Sequence, residues 1–298
     1  MNIKNLFLTA SALLAFMACS SDDAQTSPAA EAEGRIPILL SGGFGVETRS
    51  SQELQNDWFD VGRLMDVLID SKDGLTTYDS QQYKVNDTQG KLVPVSGAYP
   101  YYPINGSGVD IRAIYPVGYS SASSFTVEQT QTDDNSYTKS DLMFASASVD
   151  VAQTAAVPLT FYHKMTKICV NLTATGDVDL AGSIVKLLDL RTTVNFDPYT
   201  GAVGEATGNK KTMTISENGI EDCAAVIVPQ VFPGGYLIEV RLANNDILNY
   251  RSVQTIPFES GKKYIYNIEV TESGIKVASK VEPWLPTDDV SARPRLDE

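Results

Sequence analysis

Short runs of alternating hydrophobic and polar residues follow one another along most of the chain after residue 35. The runs are about four to eight residues long and end at Gly, Pro, Asn, Asp or Ser, as β-strands joined by turns do. The clearest runs are Ile36–Leu40, Leu64–Ile69, Val109–Tyr115, Phe125–Thr130, Val157–Phe161, Ile168–Thr173, Ile184–Leu190, Met213–Ile215, Ala224–Val228, Tyr236–Leu242 and Tyr264–Val270. This pattern predicts an all-β protein, and strands this short and numerous favour two layered β-sandwiches.

Two local features modify the pattern. Residues 51–68 carry apolar side chains at helix-like spacing, so a short helix before the Leu64 strand is an alternative there. Apolar side chains also change from odd positions in Leu159–Met165 to even positions in Ile168–Leu172. Such a change of phase needs a bulge or a strand that passes from one sheet to another.

His163 is the single histidine and lies on the apolar side of the first of these strands. A role as a satisfied core or edge residue is therefore favoured over a functional one. The chain has no metalloprotease, Cys-x-x-Cys, phosphate-binding or serine-hydrolase motif. A glycosidase-type pair of carboxylates stays open, because 37 acidic residues allow many spatial pairs. We expect no enzyme activity, no metal and no cofactor.

Three further segments favour structure over binding. Residues 69–74 look calcium-like, but their residue types do not match the ligand positions of a calcium loop, so they predict a turn. Residues 42–45 lack the following Lys or helix start of a phosphate site, and flexibility explains their glycines better. Tyrosines beside prolines could form an exposed stacking surface, but packing and turn roles are favoured for Tyr99, Tyr101 and Tyr102.

The N-terminus has the features of a secretory signal. Lys4 provides a positive charge, residues 6–17 are largely apolar, and Ala18 precedes Cys19. The apolar run is shorter than the roughly 20 residues that span a bilayer. It resembles a bacterial lipoprotein signal, in which residues 1–18 are removed and Cys19 is acylated as the first residue of the mature chain. An ordinary signal that is cut elsewhere is the alternative and would leave Cys19 incidental.

The composition of the residues that follow Cys19 differs from that of the rest of the chain, which is acidic. Residues 20–34 contain no aromatic or large aliphatic side chain, so the segment 19–34 is predicted to be a disordered tether. The chain has 23 Lys and Arg against 37 Asp and Glu, a net charge of −14. Nucleic acid is excluded as a partner because phosphate binding needs a basic patch. Cys169 and Cys223 could form a disulfide in an exported chain, although its absence is favoured.

A series of short motifs follows the signal in a fixed order as far as residue 284. The motifs are a strand ending in Thr48-Arg49, Trp58 with the Gly-led strand 62–67, Ala113–Pro116, Asp141–Ala145, Phe161–Val170, Gly261–Asn267 and Val281–Trp284. In this order and spacing the chain resembles the fimbrillin (Mfa-like or FimA-like) family of Bacteroidales type V pilus proteins, which are lipoprotein precursors. The resemblance implies two tandem transthyretin-like Greek-key β-sandwich domains.

The resemblance also implies assembly by donor-strand exchange. A trypsin-like protease cuts between Arg49 and Ser50 and removes the lipidated leader with the first strand, residues 36–48. The displaced side chains are Ile36, Ile38 and Leu40, and their loss opens a groove that another subunit's strand can fill. The implied partners are other pilus subunits, the protease, the outer membrane through the lipid anchor before processing, and a host or bacterial surface ligand.

The tail at residues 286–298 departs from the pattern of a stalk subunit. Pro286, Pro294 and few apolar side chains make it a poor donor strand, which favours a tip, accessory or adhesin role. We expect an N-terminal sandwich at 35–156 and a C-terminal sandwich at 157–285. The expected location is an outer-membrane lipoprotein precursor and then a cell-surface fimbrium. The alternative function is an outer-membrane surface lipoprotein that binds carbohydrate.

Overall fold

The computed structural model describes residues 34–44, 60–218 and 223–284. In these ranges the chain forms strands and a single short helix, so the predicted all-β class is confirmed. Among the described residues no helix is long and apolar enough to cross a membrane. The predictions for residues 1–33, 45–59 and 285–298 lie outside the described residues.

The first unit is a closed barrel of seven strands. The strands are β1 (Leu40–Phe44), β2 (Leu64–Ser71), β3 (Gln81–Val85), β4 (Lys91–Pro94), β5 (Ser107–Tyr115), β7 (Met143–Val151) and β8 (Val157–His163). Their order around the barrel is β1-β4-β3-β2-β5-β7-β8. Alternate side chains of these strands point inward and form one hydrophobic core, as period-two patterning requires. β1 completes the barrel, because it pairs with β4 on one side and with β8 on the other.

The second unit contains two four-stranded sheets around the larger core. One sheet is β13-β10-β16-β17, with strands Lys211–Ser216, Ile184–Leu190, Gly235–Arg241 and Ile247–Ser252. The other is β14-β9-β19-β20, with strands Cys223–Ile227, Thr166–Ala174, Lys262–Thr271 and Gly274–Pro283. Smaller sheets are formed by β6 (Ser124–Thr126), β11 (Thr193–Asp197) and β12 (Ala202–Thr207), and by β15 (Gln230–Phe232) and β18 (Ile256–Phe258).

The segment between β5 and β7 belongs to the second unit, although it precedes the boundary that the sequence predicts. β6 pairs with β11, and the helix α1 (Asp134–Ser140) begins at Asp133, whose side chain accepts a hydrogen bond from the Ser136 amide. The buried Gln131 amide bonds to both backbone groups of Val226 at 2.7 and 2.8 Å. These contacts attach residues 124–140 to the larger core.

The chain passes from the barrel to the second unit between His163 and Thr166. β8 ends at His163 in the barrel, and β9 starts at Thr166 in a different sheet, which is the change of sheet that the phase shift predicts. Because β8 lies in the barrel, we propose to divide the units at residues 164–165 instead of 156–157. The helix considered for residues 51–68 does not extend to residue 64, where β2 begins.

The register of β9 and β14 decides how the two cysteines of the body lie. Cys169 stands opposite Ala224, and Cys223 stands opposite Val170. Directly opposed residues share a face and successive residues alternate, so the two thiols leave opposite faces of this strand pair. The register is therefore unsuited to a disulfide between them.

Candidate functional site

The predicted displaced strand lies in the wall of the barrel. Ile38 and Leu40 are 0% and 1% exposed, and Ile36 packs against the same core from a half-buried position. Leu40–Phe44 runs parallel to Val157–Phe161 of β8, and Leu40 stands opposite Leu92 of the antiparallel strand β4. The three side chains named from sequence are thus brought together in one hydrophobic cluster.

Backbone hydrogen bonds hold this segment on both sides. The bonds are Ile38 N to Pro100 O (2.8 Å), Tyr102 N to Ile36 O (2.9 Å), Val157 N to Leu39 O (2.8 Å) and Gly42 N to Gly90 O (2.8 Å). A strand that leaves this position uncovers the matching groups of both neighbours, and buried backbone groups need new partners. The site therefore favours the binding of another extended chain.

The structure requires glycine at position 42 of this segment, which was not predicted from the sequence. A Cβ atom on Gly42 would lie 3.1 Å from Cε2 of Phe161 and 3.2 Å from Cδ1 of Leu92, closer than ordinary van der Waals contact. Attributing this glycine to flexibility is wrong, because Gly42 is buried within β1 and its missing side chain makes room for the core. The signal was present in the sequence, since Gly42 continues the inward series of Ile38 and Leu40.

The inward series ends at Phe44, beside a stack of aromatic rings. The Phe44 ring lies 6.3 Å from the His163 ring, centroid to centroid, with an angle of 12° between the planes. The His163 ring also stacks on the Trp284 ring, with a centroid distance of 3.9 Å and an interplanar angle of 10°. The Nδ1 atom of His163 lies 2.9 Å from Oδ1 of the buried Asp141. The histidine is therefore a buried, hydrogen-bonded structural residue, which confirms the interpretation favoured from sequence.

Lys167 completes this junction from the first residues of β9. Its side chain is 1% exposed, and its ammonium nitrogen lies 5.4 Å from the Tyr137 ring centroid and 5.7 Å from that of Trp284. Aromatic faces stabilise a cation at such distances. The Trp284 amide donates to the Gly261 carbonyl at 2.9 Å. The end of the described chain is thereby fixed against the point where the two units meet.

The remaining sequence candidates have structural roles. Tyr102 is buried, and Tyr101 forms a bridge with Pro37 and lies under the Arg35 guanidinium at 4.8 Å. Burial raises the pKa of the Tyr99 and Tyr102 phenols. These contacts confirm the packing role of the tyrosines, which cover the start of the first strand.

The calcium-like segment is a turn, as the sequence predicts. The Asp73 carboxylate accepts hydrogen bonds from the amides of Thr76 at 2.8 Å and Leu75 at 2.9 Å. These bonds hold the pKa of Asp73 well below its ordinary value, because they stabilise the ionised form. In the described ranges no group of three or more His, Cys, Asp or Glu side chains could hold a metal ion.

Cys19, Arg49 and Ser50 lie outside the described residues. Arg49 follows the described end of β1 by a few residues of sequence.

Comparison with known proteins assigns the family. The sequence profile of the family described as "Fimbrillin-like" matches residues 48–284, most of the chain. The chain therefore belongs to the fimbrillin-like family. The family is one of structural fimbrial proteins, so the chain is a structural fimbrial protein and not an enzyme.

The chain is also similar to individual proteins in sequence or in fold. The chain is 24% identical over 291 residues to the "Putative fimbrium subunit Fim1C" of Bacteroides uniformis, with 89% of this chain and 90% of that protein covered. Its fold is similar to that of a "putative cell adhesion protein" from Bacteroides uniformis, with a TM-score of 0.69, 20% identity and coverage of 86% and 100%. The tip fimbrial protein Mfa3 of Porphyromonas gingivalis, truncated at its C-terminus, gives a TM-score of 0.52 at 7% identity, with 84% and 100% covered.

Proposed function

We propose that this protein is a tip, accessory or adhesin subunit of a cell-surface fimbrium and that it joins its neighbour by donor-strand exchange. The observation that carries the proposal is the position of β1, a strand of five residues that connects β4 to β8 and closes the barrel. A cut between Arg49 and Ser50 would separate this strand from the rest of its own barrel. An extended strand from another subunit could then take its place.

Rough energies are compatible with replacement of this strand. Full burial of one large aliphatic side chain stabilises by about 1.5–3 kcal/mol. Ile38 and Leu40 together then contribute about 3–6 kcal/mol, a large part of the roughly 5–15 kcal/mol that stabilises a typical domain. A replacement strand that fills the same two sites would recover this contribution. The other six strands still supply most of the barrel core.

The strand before the tail supports a terminal position over a repeating one. β20 pairs with β19 from Gly274 to Pro283, and the following Trp284 is 2% exposed. This strand is thus used within its own subunit. The residues beyond it include Pro286 and Pro294, which cannot donate ladder hydrogen bonds.

The precursor is proposed to reach the outer membrane as a lipoprotein acylated at Cys19. The N-terminal residue of the protein recovered from cell surfaces tests the proposed processing step. We expect Ser50 as the first residue, and Arg49→Ala should abolish this end. The exposed Arg251→Ala is the matched control and should leave it unchanged. An acylated Cys19 on the surface protein of the parent strain would contradict processing and would favour a retained lipoprotein.

A further inference from the structure

The groove left by residues 36–44, which are β1 and the segment before it, would not be a uniform apolar channel. Its sites differ sharply in size along one line, because side chains two residues apart in a strand point to the same face. Ile38 and Leu40 are buried, Gly42 is buried with no room for a Cβ, and Phe44 lies beside the His163 ring. A strand that enters this groove must therefore carry large side chains at the first two sites, glycine at the third and an aromatic side chain at the fourth.

The narrow site is formed by side chains of the two strands that flank the groove. Cε2 of Phe161 on β8 and Cδ1 of Leu92 on β4 would lie 3.1 and 3.2 Å from an added Cβ. Both side chains are at most 1% exposed and are held by the barrel core. A branched side chain at this site must displace them, and overpacking of a filled core is costly.

The groove is aromatic at its Phe44 end. His163 is fixed by Asp141 at 2.9 Å and by the Trp284 ring at 3.9 Å, so its ring has a set orientation when the strand is in place. Phe44 lies nearly parallel to it at 12°. A ring on the incoming strand would gain this contact, whereas a small side chain would leave the ring of His163 uncovered.

We propose that the opened barrel selects its incoming strand by this four-position pattern. The occupant is a strand of another subunit with large aliphatic residues at the sites of Ile38 and Leu40, glycine at the site of Gly42 and an aromatic residue at the site of Phe44. This inference rests on the strand exchange proposed above and specifies its partner.

The pattern also fixes the direction of the incoming strand. Like β1, it runs parallel to β8 and antiparallel to β4. The same strand placed in the opposite direction would bring its second aliphatic side chain to the site of Gly42. That site has no space for it.

The test uses the full chain with Cys19→Ala and with a site-specific protease sequence in place of residues 46–50. The cut then does not depend on Arg49. After cleavage, fluorescent peptides with the sequence of residues 35–44 are added in excess, and fluorescence anisotropy gives their dissociation constants. The variants are Gly42→Val, Phe44→Ala and the matched control Ser41→Val, whose position alternates with the inward series.

We expect the parent peptide to bind in the opened barrel. The dissociation constant of the Ser41→Val peptide should lie within about twofold of the parent value. Gly42→Val and Phe44→Ala should each bind at least about tenfold more weakly, since one overpacks the core and the other loses an aromatic contact. Equal binding of the parent, Gly42→Val and Phe44→Ala peptides would overturn the pattern while strand exchange stands. Failure of every peptide to enter, the parent included, would overturn strand exchange and the pattern with it.

A double-mutant cycle isolates the aromatic contact. In His163→Ala protein the difference in affinity between the parent peptide and the Phe44→Ala peptide should fall to less than about threefold. His163→Phe should restore it, because this variant replaces the ring. If His163→Ala does not fold, His163→Leu removes the ring while it fills the space. If the variant without the ring still prefers the parent peptide to the same extent, His163 does not select the aromatic residue at the site of Phe44.

Discussion

At the scale of single residues, buried polar groups fix the loops around the barrel. Asp66 of β2 is 4% exposed, and its carboxylate accepts three backbone hydrogen bonds, from Gly118 at 2.7 Å, Tyr119 at 3.0 Å and Ser120 at 3.2 Å. Hydrogen bonds to a charged group are stronger than neutral ones, and a buried donor that loses its partner is costly. One carboxylate thereby holds the loop that leads from β5 to β6.

We predict that Asp66→Ala lowers the free energy of unfolding by about 2–4 kcal/mol, because three amides lose their acceptor. Urea denaturation measures the change. Asp150→Ala is the control, since it removes the same side chain from an exposed ion pair with Lys72 and should leave the denaturation midpoint nearly unchanged. Equal midpoints for both variants would show that the Asp66 contacts contribute little.

Trp284 is a buried aromatic residue whose removal should also destabilise the protein. Trp284→Ala should destabilise the protein by about 3–5 kcal/mol, because it empties a large buried site and removes the stack on His163. Val281→Ala on the preceding strand changes a side chain that is 55% exposed, and the expected cost is below about 1 kcal/mol. Thermal and urea unfolding of the pair provide the comparison, and a cost below about 1 kcal/mol for Trp284→Ala would refute the anchoring role.

At the scale of elements, the sequence predicts strands best where both neighbours and a core impose the pattern. Alternating or β-branched residues predict β5, β8, β10 and β19. The pattern misses β20 because this strand is largely exposed and carries lysines, and its ten-residue pairing with β19 is not visible in local sequence. It misses β7 because the middle of that strand, residues 145–148, consists only of alanine and serine.

The candidate site was predictable only in part for the same reason. The alternation of Ile36, Ile38 and Leu40 marks a buried strand, but alternation cannot say which strands flank it. The crowding at Gly42 depends on Phe161 and Leu92, which are distant in sequence. Asp141, His163 and Trp284 each stood in a separate family motif, and only the fold brings them into contact.

Limited proteolysis probes the first strand as an element. We predict that trypsin cuts the folded precursor first at Arg49, because this residue follows β1 in a glycine-rich sequence while most other basic residues of the body lie in strands or turns. Mass spectrometry of a timed digest identifies the first site. In Arg49→Gln protein the early product should be lost. A first cut within residues 60–284 of the parent protein would count against an accessible processing site.

At the scale of the whole molecule, the two units are joined where β1 ends. The junction combines Phe44 of β1, His163 at the end of β8, Lys167 of β9 and Trp284, which follows β20. The barrel, the second unit and the end of the described chain therefore meet at one buried cluster. Changes at the two ends of the chain should have different effects on assembly.

We predict that deletion of residues 286–298 barely changes folding or incorporation into fimbriae, because the tail is a poor donor strand. Removal of residues 36–49 from a soluble form of the chain should instead create binding to the donor strand of a stalk subunit. Pull-down of both truncations with purified stalk subunit tests the contrast. Loss of assembly on tail deletion alone would identify the tail as a donor and the protein as a stalk subunit.

Delivery to the surface depends on the other end of the chain. We predict that Cys19→Ala prevents acylation and reduces the amount of protein on the outer surface, since a chain acylated at this residue would be held by its lipid. Labelling of cells with a fatty-acid analogue measures the modification, and Cys169→Ala serves as the control. Equal label on the Cys19→Ala and parent proteins would contradict a lipid anchor at this residue.

Because β1 closes the barrel, its removal limits how many other subunits could bind at the opened site. Every strand of the closed barrel has two neighbours, so loss of β1 creates two unsatisfied edges that face the same gap. One incoming strand satisfies both edges at once and leaves no third edge for a competitor. A subunit opened in this way accepts a single neighbour through the barrel. Under the proposed strand exchange, growth through this site would be linear, and a branch in the fibre would have to start from another surface.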